Sequence, residues 1–214
     1  ITLDMANSMK TIAKKCFPKA IQVTDRFHVQ KLALEALQDI RIKHRWDAIE
    51  LENEQIKLAK AKNSTCSPKE FSNGDTRKQL LARSRYLLYK APSNWTESQY
   101  CRSKILFDQY PDIKIAFDLT QGLRNIYNTA KTIEVAYTKL AHWYKDVENT
   151  GFRAFNTIAN TITLNYRSIL NYFINRSTNA SAESFNAKIK AFRAQFRGVR
   201  NVEFFLFRLT TIFA

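Results

Sequence analysis

Three short runs in this 214-residue chain carry side chains whose types and spacing can do chemistry. Asp4 follows Ile1-Thr2-Leu3, which reads as the tail of a buried strand. A carboxylate just past the carboxyl end of a strand sits where open α/β sheets build their sites, and its oxygens can hold a divalent cation. The competing reading is that Asp4 caps a helix starting at Met5. In the run Asp25-Arg26-Phe27-His28, the aspartate and the histidine are spaced so that a helical start puts both on one side. They read either as an Asp–His pair beside Asp4, close to a metal, or as a helix cap and a histidine satisfied by its surroundings. Thr178-Asn179-Ala180-Ser181-Ala182-Glu183 opens a later helix in which Glu183, Asn186 and Lys190 share a face. An acid, an amide and a cation so arranged suit a site for metal and phosphate; a solvated polar face is the plainer alternative.

The elements that must position these residues are legible in outline. A strand at residues 1–3, a helix over 5–16 stopped by Phe17-Pro18, and a β-prone run at 20–24 make a β-α-β arrangement. Its connection is long enough for a parallel crossover. Ile12 and Cys16 mark one apolar face of the first helix. A long helix follows over 27–61, free of Gly and Pro, with Leu32, Ala36 and Ile40 as its apolar stripe. Its charged end, from residue 50, projects into solvent. Residues 63–75 are turn-rich, 76–90 form a basic helix and 91–94 break it. The next helix spans 96–110 with Thr96 as N-cap, and Pro111 opens another running to 147 with a kink at Gly122. Further helices follow from Gly151 to about 175, over 181–196 with Gly198 near the C-cap, and over 202–214. The fold class expected is mainly α: a remnant of an α/β core with two short strands, and a large all-helical insertion. The first 30 residues and those at 177–200 are expected to meet across that body.

Composition sets the class of partner. Gly and Pro number only 4 each, which favours long helices over a turn-rich β fold. With 34 Lys and Arg against 19 Asp and Glu, the net charge is +15, and such a surface attracts polyanions. Nucleic acid is the leading partner, because neutralising phosphates releases counterions. The basic residues are spread along the chain and not gathered beside one apolar anchor, which argues against a membrane surface. From Lys57 to Lys104 there are eleven Lys and Arg against three Asp and Glu, with Arg83, Arg85 and Lys90 on one expected helix or its end. Tyr86 and Tyr89 beside them read as core residues on the alternative view. Cys16, Cys66 and Cys101 are too far apart for a zinc site and read as free thiols of a reducing cytoplasm. The chain has no signal peptide at its start and no apolar run of about 18 residues, the length a membrane span needs. The strand-like start and the apolar end at 204–214 both read as the ends of a fragment of a longer protein.

Taken together, Asp4-Met5, FPKAIQVTDRFHV at 17–29, TNASAESFNAKIKAFR at 178–193 and GVRN at 198–201 resemble the ISL-three group of bacterial insertion-sequence DDE transposases. The match spans nearly the whole chain, although residues 30–175 match by helical character more than by motif. The resemblance implies a ribonuclease-H-like catalytic core, formed here by residues 1–30 and 176–214, with a helical insertion over 31–175. It implies DNA transposition by metal-dependent cleavage and strand transfer, with two Mg2+ or Mn2+ ions in the complete site. Asp4 then corresponds to the second catalytic acid and Glu183 to the third, both as metal ligands; Asp25 is the rival for the second. Asp25, His28 and Asn186 become the supporting motif. Lys190, Arg193, Arg83, Arg85 and Lys90 become DNA contacts. The first acid has no counterpart in the chain, so the fragment alone is expected to be inactive. The partners implied are double-stranded transposon ends and target DNA, with a homodimer by analogy and no membrane, in the bacterial cytoplasm beside the nucleoid. Two other classes compete: a non-catalytic basic helical DNA-binding module, and a helical interaction protein. Only the catalytic reading requires Asp4 and Glu183 within reach of one metal pair.

Overall fold

A computed structural model describes residues 1–178, 180–195 and 199–213, with the side chains of 181–183 and 213 outside the description. Among the described residues, two short strands and a succession of α-helices make a mainly α fold with a remnant sheet, as the sequence predicts. Strand β1 (Thr2–Leu3) pairs in parallel with β2 (Val23–Thr24), and helix α1 (Asn7–Cys16) is the crossover. The first helix starts later than its pattern predicts. Its only buried residue is Ala13, while Ile12 is 54% exposed and Cys16 is exposed, so the predicted apolar face turns outward.

Helix α2 (Arg26–Ala61) runs 36 residues, or roughly 54 Å at 1.5 Å per residue. Of the predicted stripe Ala36 is buried and Leu32 and Ile40 are partly buried, while Val29, Ala33 and Leu37 are buried beside it. The buried face is broad because α2 is covered by several elements. Helix α6 (Pro111–Thr129) lies along it, and α3 (Arg77–Arg83), α4 (Arg85–Tyr89) and α8 (Arg153–Leu164) also pack on it. Beyond Ala48 no residue of α2 is buried, as its charged sequence predicts.

The predicted single helix over 76–90 is two. Thr76 and Gln79 form a reciprocal capping box at the start. At Ser84 the buried hydroxyl donates to the Leu80 carbonyl at 2.6 Å, and the helix breaks there. Leu80, Leu81, Leu87 and Leu88 are fully buried on either side of the break. Thr96 caps α5 (Glu97–Gln109) through the same kind of box with Gln99. Gly122 does not kink α6. The helix instead ends at Thr129, and Thr132 caps α7 (Ile133–Thr150). The Trp143 ring packs against Gly122, where a Cβ would sit in ordinary contact at 3.4 Å, and that indole donates to the Leu119 carbonyl at 2.8 Å. Gly151 closes α7 in the left-handed conformation. The predicted helix to residue 175 is three pieces, α8, α9 (Tyr166–Leu170) and α10 (Tyr172–Asn175). Helices α11 (Ala180–Gln195) and α12 (Val202–Phe213) follow, touching through the rings of Phe192 and Phe205 at 5.5 Å; Gly198 lies outside the described residues.

One buried ion cluster pins the loop before α3 to α3 and α5. Asp75 is fully buried and accepts from Arg102 Nε at 2.8 Å, from Arg83 Nη1 and from Asn73 Nδ2 at 2.8 Å. Burial alone would raise its carboxyl, but the hydrogen bonds and charges of Arg102 and Arg83 outweigh it and hold the group below the usual carboxylate range. The stabilisation is therefore present above the unfolded carboxyl pKa and lost as pH falls through the lower folded one. Asp75→Asn is expected to cost on the order of 3 kcal/mol at neutral pH. Urea unfolding should show the gap to the natural chain narrowing below about pH 4; a gap that does not change with pH would contradict this assignment.

Candidate active site at the strand ends

The site is built from the parallel ladder outward. The Val23 amide donates to the Ile1 carbonyl at 2.8 Å and the Asp25 amide to the Leu3 carbonyl at 2.9 Å. Leu3 is in register with Thr24, so Asp4 and Asp25 occupy equivalent positions just past the carboxyl ends of neighbouring parallel strands. A strand pair this short is marginal alone, and three long-range hydrogen bonds tie its surroundings to the helical body. Thr24 and Ser168 share a hydroxyl–hydroxyl bond of 2.7 Å, Asn171 Nδ2 donates to the Gln22 carbonyl at 2.9 Å, and Lys10 Nζ donates to Asn165 Oδ1. Nothing local in the sequence marks Ser168 or Asn171 as clamps, because their partners lie 144 and 149 residues away.

Each carboxylate is oriented by the turn that follows it. Asp4 Oδ1 accepts from the Ala6 amide at 2.9 Å, but the N-cap of α1 is Ala6, so Asp4 closes a turn ahead of the helix and does not cap one at Met5. Asp25 is the N-cap of α2, with Oδ1 accepting from the Phe27 amide at 2.9 Å, and is 5% exposed. It therefore acts as a cap whatever else it does. His28 is half-buried at the first turn of α2, its ring edge-on to Phe27 at 5.8 Å. Behind this corner Tyr127 is buried; burial, helped by Tyr172, Tyr144 and Asp25, pushes its phenol far above its ordinary range.

Asp4 and Asp25 are thus brought to adjacent strand ends, with His28 one turn into α2. The Glu183 side chain lies outside the described residues, while the Glu183 backbone belongs to α11. Asn186, Lys190 and Arg193 are exposed along that helix. Among the described residues no three His, Cys, Asp or Glu side chains lie close enough to hold a metal ion. The donors at the strand ends are hard carboxylate oxygens, which fit Mg2+ or Mn2+ better than a thiophilic metal. Of the basic residues in the helical body, Arg83 is paired with Asp75, Arg85 lies 5.5 Å from the Tyr86 ring centre, and Lys90 Nζ donates to Gln99 at 3.3 Å. No described helix is long and apolar enough to cross a membrane.

Comparison with known proteins places the chain in a family. The model of the DDE_Tnp_ISL3 family, described as Transposase, matches residues 1–209, and the chain belongs to that family of DDE transposases. Among curated proteins it is similar to the transposase for insertion sequence element IS1557 of Mycobacterium tuberculosis, in strains CDC 1551 / Oshkosh and ATCC 25618 / H37Rv alike. Each is 29% identical over 132 residues, covering 60% of this chain. That stretch is 28% of the relatives' own length. No solved structure matches the chain.

If the clamp positions the strands, removing it should loosen them locally. Asn171→Ala is expected to speed hydrogen exchange of the Val23 and Asp25 amides about 5- to 10-fold, the value of one hydrogen bond, and to leave core amides of α2 and α6 unchanged. Equal acceleration throughout the chain would show that Asn171 serves global stability and not the sheet.

Proposed function

We propose that this chain supplies part of the catalytic centre of a DNA transposase, which cuts phosphodiester bonds at the ends of an insertion sequence and joins those ends to target DNA. The observation that carries the reading is the parallel register that sets Asp4 beside Asp25 at the strand ends, in a chain of the transposase family. Residues 1–30 and 176–214 belong on this reading to a ribonuclease-H-like core, and 31–175 to its helical insertion.

Asp4 is the second catalytic acid and Glu183 the third, and their carboxylates hold the divalent ions. When bound, a pair of Mg2+ or Mn2+ ions supplies the Lewis acidity that steadies the attacking and leaving oxygens of in-line phosphoryl transfer. Asp25 and its cap orient the start of α2, so that His28 and the Arg26 backbone stand in fixed relation to Asp4. Asn186 lines the same helix as Glu183. Lys190 and Arg193 contact phosphate and set the register of the duplex, as backbone contacts do without reading sequence. Arg85 and Lys90 extend the basic track over the insertion, while Arg83 is held by Asp75. The partners are double-stranded element ends and target DNA, with self-association bringing paired ends together.

The test is strand cleavage by the longer transposase with Mg2+ or Mn2+. Asp4→Ala and Glu183→Ala should each bring cleavage below detection while DNA binding is retained, since removing a carboxylate does not weaken phosphate attraction. Asp25→Asn separates the two candidate acids: asparagine caps a helix as well as aspartate does, so activity should survive if Asp4 is the catalytic one. The 214-residue chain alone should not cleave. Metal-dependent cleavage by the chain that survives Glu183→Ala would overturn the site, and binding without cleavage by the longer protein would favour a non-catalytic DNA-binding module.

A further inference from the structure

Away from the strand ends, a cleft of about 550 Å3 opens between α2 and the α3–α4 pair. Two helical faces make it. Gln38, Arg41, Arg45 and Trp46 fall along one side of α2, and Arg85, Tyr86 and Tyr89 line the opposite wall from α4. Trp46 is 60% and Tyr86 67% exposed, a large unburied aromatic area for rings at helical spacing. Among the described residues no carboxylate lines the cleft and none pairs with Arg41, Arg45 or Arg85. This sets them apart from Arg83 and Arg102, which both pair with Asp75.

Arg41 is the unusual member. It is 4% exposed, with Nε donating to Gln38 Oε1 at 2.7 Å and Nη1 to the Leu81 carbonyl at 2.8 Å. Those bonds fix the guanidinium and leave it further donors. Burial, and then the charges of Arg45 and Arg85, lower its pKa, so the fold holds a positive cluster against its own repulsion. An anion entering the cleft would relieve that repulsion.

We infer that this cleft binds an unpaired segment of a DNA strand, with Arg41, Arg45 and Arg85 on its phosphates and a base stacked on Trp46 or Tyr86. The inference rests on the reading of the chain as part of a DNA-acting enzyme and names a site within it. Bases inside a duplex are already stacked, so exposed rings in a confined cleft gain little from a duplex. An unpaired base offers a ring face and a phosphate together. The volume falls within the range of sites for small organic ligands and is far too small for a double helix. Arg85 already lies over the Tyr86 ring, so a stacked base would extend an existing cation–π contact.

Tryptophan fluorescence gives a direct readout. Of the three tryptophans, Trp143 is buried and Trp95 is held by Leu87 and stacked on Phe117, so quenching by a bound base reports Trp46. A single strand of about 12 thymidines, a length that fits one stacking groove, should quench the chain. Trp46→Ala and Arg45→Ala should each weaken its binding about 5- to 100-fold by anisotropy, and Trp46→Ala should leave binding of a duplex of equal length nearly unchanged. Trp46→Phe should keep the binding and lose the quench. These side chains are exposed, and unchanged circular dichroism confirms folding. Absence of quenching, or single-strand affinity indifferent to these substitutions, overturns the cleft assignment; duplex binding that persists then leaves the DNA-acting reading intact. Failure of the natural chain to bind either form would overturn both.

Discussion

The arrangement depends on a parallel pairing of two strands only two residues long each. Such a ladder is not self-supporting. It exists because the α9 region, late in the chain, closes over it through Ser168 and Asn171. The Leu3–Thr24 register then leaves the next residue of each strand an aspartate at the sheet's carboxyl edge. The helical body is in this sense the scaffold of the strand-end corner, and it also carries the basic and aromatic cleft.

Helix α2 connects the two. It begins at the Asp25 cap beside Asp4 and carries Arg41 into the cleft about 24 Å further along its axis, sixteen residues at 1.5 Å each, with Arg45 about one turn beyond. Its first half is gripped from several sides by α6, α8, α3 and α4, with Val29, Ala33 and Leu37 wholly buried. A helix so held is stiff, and a strand seated in the cleft would stand at a fixed distance from the strand-end carboxylates. The Asp75 cluster reinforces the far wall, since it locks α3 to α5 beside the α4 segment that carries Arg85.

Much of this was legible in the residues. The Thr96 cap, the Phe17-Pro18 stop, the Pro111 start and the solvated second half of α2 all follow from local chemistry, and local chemistry is what a sequence states directly. The strand–helix–strand start and the aspartates at its ends were readable for the same reason. What was not legible depends on distant partners. Gly122 reads as a kink until Trp143 packs on it, and Ile12 and Cys16 read as a buried face until α1 is seen to bury Ala13 instead. Ser84 gives no sign that it divides a helix, and nothing near Arg83 in the sequence announces its bond to the buried Asp75. Arg41 looks like one more charge on a basic helix, because its burial and its lack of a carboxylate partner are tertiary facts.

On the proposed reading the two ends of the chain meet around one metal site, with Asp4 and Glu183 as its ligands. Paramagnetic broadening by Mn2+ in an isotope-labelled sample of the chain measures this without any catalytic turnover. The expected result is selective loss of backbone amide signals around residue 4, around residue 25 and around residue 183 together, abolished by Asp4→Ala. Broadening confined to one of these segments, centred elsewhere, or unaffected by Asp4→Ala would contradict a shared site.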